Sequence, residues 1–243
     1  MKCKLHNLAT ATLLATVALT SHHALADTAT VRETGLASYL QMNLVLPVAN
    51  QNNYLVGSQT ISVDSSSFVA FCIDPYQYSS GNAATYNVFS GLGALNNIQR
   101  ATNVERLYSQ SYTSTINNSV NSAAFQLALW ELANDNGVLT TGGVRTTSTT
   151  PTQGDDVVSA LSAANTMLGL VAGNTPLTGL PQYSFTVYKH QTQQDFLVSV
   201  TAVPEPETYA LLLAGLGLVG WTARRRAPVS AKRSADESAR PQS

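Results

Sequence analysis

The chain has 243 residues, with 13 Lys and Arg against 14 Asp and Glu for a formal net charge of −1. Outside its two ends the chain has no basic patch, which argues against a nucleic-acid partner. Two cysteines and four histidines leave little for a metal site.

The N-terminus carries Lys2, Lys4 and His6, then an apolar stretch from Leu8 to Leu19, then Ala24-Leu25-Ala26. A basic region, a short hydrophobic region and a small-x-small site read as a secretory signal peptide over residues 1–26. The apolar run is short for a membrane anchor. Cleavage after Ala26 would leave Asp27 first, and residues 27–203 form the expected mature domain, long enough for one real core. Between those bounds lie five basic and ten acidic side chains, so the domain is weakly acidic and its polarity comes from Ser, Thr, Asn and Gln. Cys3 would leave with the leader, and so would His6, His22 and His23. Cys72 then has no intrachain partner, and His190 is the single histidine of the domain. Cys72 is therefore an inert buried thiol, an intermolecular disulfide partner, or a residue covalently used in another way. No multi-histidine or two-cysteine metal site is possible, and no cofactor is implied.

Strands are expected first. Val31–Leu46 is β-rich in part, and Tyr54–Val63 and Ser67–Ile73 are clearer, with Asp64-Ser65-Ser66 as a turn between them. Asp74-Pro75 ends the third strand, and a polar loop with Gly81, Gly91 and Gly93 is expected to follow. Asn96–Ser111 has helical spacing. Ser119–Asp135 is a stronger helix, with Asn118-Ser119 as cap and Gly137 as stop. Its centre, Ala123 to Trp130, is apolar almost all round, which predicts burial. A threonine-rich loop spans 140–152, a third helix runs over Asp155–Val171, and Tyr183–Tyr188 and Gln194–Thr201 return to strands. Strands, then helices, then strands predict an α+β domain: terminal strands form a sheet with the central helices packed beside it.

The tail reads Val203-Pro204-Glu205-Pro206-Glu207, an apolar run from Thr208 to Ala223, and Arg224-Arg225-Arg226. The run is near the lower limit for spanning a bilayer, and the arginines would stay cytoplasmic. These residues resemble the PEP-CTERM protein-sorting signal of Gram-negative bacteria, here over 204–226 with a short transmembrane helix. The resemblance implies an exosortase-type processing enzyme, an inner-membrane intermediate, cleavage near Pro204-Glu205-Pro206, and delivery to the cell surface or extracellular matrix, typically alongside exopolysaccharide and biofilm systems. Family members usually stop soon after the arginines, whereas residues 227–243 continue here as a small, polar and expectedly disordered extension.

Three features of the domain carry chemistry. They are Phe71-Cys72-Ile73-Asp74 at a strand end, Phe125-Gln126-Leu127-Ala128-Leu129-Trp130-Glu131 in the apolar helix, and Gln194-Asp195-Phe196-Leu197-Val198 in the last strand. In this order they resemble the thioester domains of bacterial surface proteins. Two positions depart from that pattern: Phe125 stands where threonine is typical, and polar Gln193 precedes Gln194. The resemblance implies a thioester between Cys72 and Gln194, formed with loss of ammonia. It also implies a supporting shell of Asp74, Gln126 and Trp130, and covalent capture of an amine on a partner. Strand alternation places Gln194 on one face with Phe196, Val198 and Val200, and Cys72 with Ala70 and Phe68. The bland readings are a small buried hydrophobe for Cys72 and core packing for Gln126 and Trp130.

The expected function is therefore a non-enzymatic exported protein. It mediates adhesion to an extracellular polysaccharide or a surface-protein amine. The alternative is a structural biofilm or exopolysaccharide-associated protein with a free buried cysteine. A secreted hydrolase would have to use His190, which lies in Lys189-His190-Gln191 and reads as an ordinary turn.

Overall fold

The computed structural model describes residues 27–46, 50–146, 154–201, 212–219 and 221. In chain order the domain comprises β1 (Asp27–Val45), β2 (Asn50–Val63), β3 (Ser66–Cys72), β4 (Ala84–Ser90), α1 (Ile98–Ser111), α2 (Ser119–Asn134), β5 (Arg145–Thr146), α3 (Asp155–Ala172), β6 (Tyr183–Lys189) and β7 (Phe196–Thr201). The expected α+β class holds, with an antiparallel sheet and the central helices beside it. The strand order is β2-β3-β7-β6-β4-β1-β5, and β1 also pairs with β2. The sheet is therefore a ring of six strands closed on itself, with β5 added at the far end of β1. Closure follows from the length of β1. Asp27–Val31 pairs with β4 and Val31–Val45 with β2. Three register shifts along β1, each a local bend, let one strand serve two partners. Gly57 permits part of this closeness: a Cβ there would run into the Ser38 carbonyl oxygen and come within 2.8 Å of the Tyr39 Cα.

The segment expected to be a polar loop after Pro75 contains β4. Its glycines flank the strand rather than fill it. Of its residues only Tyr86 is fully buried, so the sequence shows little period-two signal. The helices match their patterns closely. Asn97 and Asn118 cap α1 and α2, their side chains accepting from the backbone N–H of Arg100 and Asn121. Asp155 and Asp156 supply negative charge to the first turn of α3. Every residue of α2 from Ser122 to Ala133 is buried. The helix is wedged among α1, α3 and strands β1, β2 and β3, which explains why it is apolar all round. Ser122 ties it to β2, its hydroxyl accepting from the Ser58 N–H at 3.0 Å.

The two faces of the ring bury different sets. Phe71 points to the helices and meets Phe125 of α2 at a ring separation of 4.7 Å. Its neighbour Cys72 points the other way. On that inner face Phe196 of β7 approaches Tyr86 of β4 at 5.9 Å, although β6 lies between their strands. The inside of the ring is thus itself packed. Cys72 and its surroundings belong to that interior.

Candidate functional site

Cys72 is the last residue of β3 and is 2% exposed. On one side it pairs with Phe196 of β7, and the next residue continues the ladder, the Ile73 N–H donating to the Asp195 carbonyl at 3.0 Å. Gln194 lies two residues before Phe196. It lies just outside β7, which begins at Phe196 rather than at Gln194 as expected; continued alternation would return its side chain to the Cys72 face, one diagonal step away. Gln194 is 3% exposed, and its amide nitrogen has no hydrogen-bond partner among the described residues. Its backbone N–H donates to the Tyr78 carbonyl at 3.3 Å. Phe196, Leu197 and Val198 are all buried, so both faces of β7 are covered there, and Val200 is exposed near the strand's end.

On its other side Cys72 has no strand neighbour. The β2–β3 ladder ends at Gln59 opposite Ala70. The side chain of Gln126 from α2 takes the vacated place. Its Oε1 accepts the Cys72 N–H at 2.9 Å, and its Nε2 donates to the Cys72 carbonyl at 2.7 Å. A primary amide has one donor edge and one acceptor edge, the same pair that a strand backbone presents. Gln126 thereby completes the ladder and leaves no orphaned group at the strand end. A buried glutamine in an apolar helix requires such a partner, and the backbone of Cys72 supplies it.

The remaining predicted shell residues occupy different positions. Trp130, 1% exposed, sits one helical turn beyond Gln126, and its ring is 6.0 Å from that of Tyr54. Tyr54 is also 6.3 Å from Tyr78, so aromatic rings cover the Cys72 region from β2, α2 and the loop after β3. The Tyr54 hydroxyl lies near the Gln194 side chain, but not in hydrogen-bonding geometry with its amide nitrogen. Burial pushes its pKa up, and nearby Cys72 and Tyr78 add to the effect. Asp74 is half-buried. Its Oδ1 accepts the Tyr76 N–H at 2.7 Å, closing a turn, and burial raises its pKa. Asp195 is pushed up to about 6, chiefly by burial, while its Oδ1 accepts the His190 N–H at 2.8 Å and its Oδ2 meets Lys189 Nζ at 3.7 Å. His190 Nδ1 accepts the N–H groups of Thr192 and Gln193, both at 3.1 Å. This histidine therefore organises its own turn. A cleft of about 430 Å³ opens beside the strand end, with Asp74, Tyr76, Arg100, Lys189 and Asp195 among its walls.

Two neighbours of Cys72 were not singled out from the sequence. Gln59 of β2 donates from Nε2 to Cys72 Sγ at 3.0 Å. It is a polar residue at an inward strand position, in register with inward Ile61 and Val63, and that mismatch is its sequence signal. Tyr54, at the start of a predicted strand, had no comparable signal. Burial pushes the Cys72 thiol well above its ordinary range, with Glu33 and Asp74 adding to it, so the sulfur is a neutral thiol at pH 7.

Several predicted positions lie outside the described residues: Ala26, the sorting residues Pro204, Glu205, Pro206, Arg224, Arg225 and Arg226, and the tail 227–243. Asp27 is described and opens β1, paired with Val88. Among the described residues no helix is long and apolar enough to cross a membrane, and the expected span from Thr208 to Ala223 is only partly among them.

Residues 202–226 match the PEP-CTERM protein-sorting motif. The chain thus carries an export-linked sorting signal, which implies processing by an exosortase-type enzyme. A comparison with curated proteins returns no match. Among solved structures the chain is similar to the N-terminal domain of the Streptococcus pyogenes pilus tip adhesin Cpa, at 15% identity and a TM-score of 0.42, over 62% of this chain and 85% of that one. It is similar to the N-terminal thioester domain of the fibronectin-binding protein SfbI from the same organism, at 14% identity and a TM-score of 0.41, over 62% and 87% of the two chains. It is also similar to the N-terminal thioester domain of a Clostridium perfringens surface protein, at 12% identity and a TM-score of 0.43, over 72% and 100%.

Proposed function

We propose that this exported protein is a covalent adhesin whose domain over residues 27–203 forms an internal thioester between Cys72 and Gln194. One observation carries the reading. A buried thiol ends β3, a buried primary amide lies two residues before the thiol's β7 partner Phe196, and the amide nitrogen has no partner among the described residues. An unpartnered buried amide nitrogen costs about 1–3 kcal/mol. In this reading that nitrogen is the group that leaves. The Cys72 sulfur bonds to the Gln194 side-chain carbonyl carbon, the carbon–nitrogen bond breaks, and the thiol proton departs with the nitrogen as ammonia. The packed ring interior then slows hydrolysis by keeping water out. A primary amine on a surface protein or matrix component then attacks the thioester carbonyl, forms an amide with Gln194 and returns the thiol to Cys72. The bond is consumed once, so the domain acts as a crosslinker rather than an enzyme, at the cell surface or in the matrix. Gln126 holds the strand end, Trp130 packs against Tyr54 beside it, and Asp74 shapes the cleft.

Methylamine tests this reading directly. Incorporation of one methylamine at Gln194, dependent on Cys72, is the expected outcome. A second reading, a structural matrix protein without the bond, is favoured by the raised pKa of the Cys72 thiol. It predicts no incorporation and a thiol that can be alkylated after unfolding.

A further inference from the structure

The sulfur of Cys72 has a polar neighbour that the thioester reading does not yet use. Gln59 Nε2 donates to Cys72 Sγ at 3.0 Å, and both residues are buried. Gln59 lies opposite Ala70, so it shares the inner face with Cys72 and reaches it diagonally from β2. Gln194 immediately precedes β7, the strand that flanks Cys72 on the opposite side. The other end of the Gln59 amide, Oε1, is buried with no partner among the described residues. A side chain placed for its own hydrogen bonds would not leave its oxygen bare to hold its nitrogen on a thiol, which is a weak acceptor. A thiolate is a far better one.

Resting on the thioester proposal above, we infer that Gln59 is a catalytic residue of the site, its amide N–H stabilising the Cys72 sulfur as negative charge develops there. Charge develops twice. It appears as the thiol gives up its proton to attack Gln194, and again when an amine displaces the sulfur from the finished thioester. In both steps the donor is already in place and needs no reorganisation, which is the condition under which a single hydrogen bond lowers a barrier effectively. Burial alone would hold the thiol protonated and unreactive. Gln59 offsets that penalty only in the charged form. Being an amide, it can do so without adding a charge of its own to the interior.

The test uses the full chain and two independent readouts. In a Gln194→Ala background no thioester with that residue can form, and Cys72 is a free thiol. There the thiolate absorbance of Cys72 is titrated with Gln59 intact and with Gln59→Met, which keeps length and bulk but removes the donor. The inference predicts a higher midpoint in the Met variant and recovery toward the original midpoint in Gln59→Asn. In the otherwise native chain, Gln59→Met is predicted to slow methylamine cleavage by about tenfold, the size of one hydrogen bond made only to the charged form. Unchanged midpoints together with unchanged rates overturn the inference. A wild-type chain with no missing ammonia overturns the thioester instead, and the titration still decides whether Gln59 acts on the sulfur. Should Gln59→Met abolish the ammonia loss while Gln194→Ala retains it, Gln59 is itself the acyl donor and the assigned role is wrong.

Discussion

The two flanks of Cys72 are built on opposite principles. On the α2 side Gln126 engages both ends of its amide, one on the N–H and one on the carbonyl of Cys72. On the β7 side the amide nitrogen of Gln194 has no hydrogen-bond partner among the described residues. Both glutamines are buried and both lie in segments picked out by the same sequence pattern. The difference separates scaffold from chemistry. A fully paired amide is at its energetic minimum and holds a strand end in place. One whose nitrogen is unpaired is kept at a cost that folding alone does not require.

Exchanging the roles of these flanks is the strongest way to break the comparison. Gln194→Ala is expected to abolish ammonia loss entirely while leaving the domain folded, read by intact mass and circular dichroism. Retention of the mass deficit in that variant would move the acyl donor elsewhere. Gln126→Ala is expected to act through stability. It removes two hydrogen bonds and orphans a buried N–H and carbonyl, a loss of about 2–4 kcal/mol by denaturant unfolding. A change within about 0.5 kcal/mol would mean that water or another group completes the β3 ladder.

The same helix carries a smaller, pH-dependent contrast. Glu131 lies about one turn beyond Gln126, and its Oε2 accepts the N–H groups of Gly137 and Val138 at 3.1 and 3.0 Å. Burial, with Asp135 adding to it, raises its pKa from 4.5 to about 7. Asp195, beside Gln194, is raised from 3.8 to about 6, again chiefly by burial. In each case the folded state favours the protonated acid. The associated stability is fully present below the unfolded values and is lost as pH rises through the folded ones. The domain is therefore expected to lose stability between pH 3.8 and about 7. Glu131→Gln should flatten the part above pH 4.5 and leave the part due to Asp195. A denaturant series across this range checks it, and an unchanged slope in the variant would contradict the assignment.

Much of this architecture was legible in the sequence because its signals are local. α2 declared itself by a capping asparagine and an apolar run too long for a half-exposed helix. The need of Gln126 for a backbone partner followed from its burial. Closure of the ring was not legible, because it depends on β1 pairing with two strands that lie far from each other in sequence. β4 was hidden by its single fully buried residue, Tyr86, which leaves no period-two pattern. The chemistry of the site divides the same way. Cys72 and Gln194 stood in recognisable segments. Gln59 read as an ordinary polar residue of a strand, and only the inward face of the closed ring reveals what its amide touches.

The central claim is tested most directly by the intact mass of the processed full chain, measured beside Cys72→Ala. The account predicts a wild-type mass lower by one ammonia than its residues require, with no deficit in the variant. A wild-type mass equal to the sum of its residues, with Cys72 alkylated after unfolding, would contradict it and leave a sorted, exported protein with a buried free thiol.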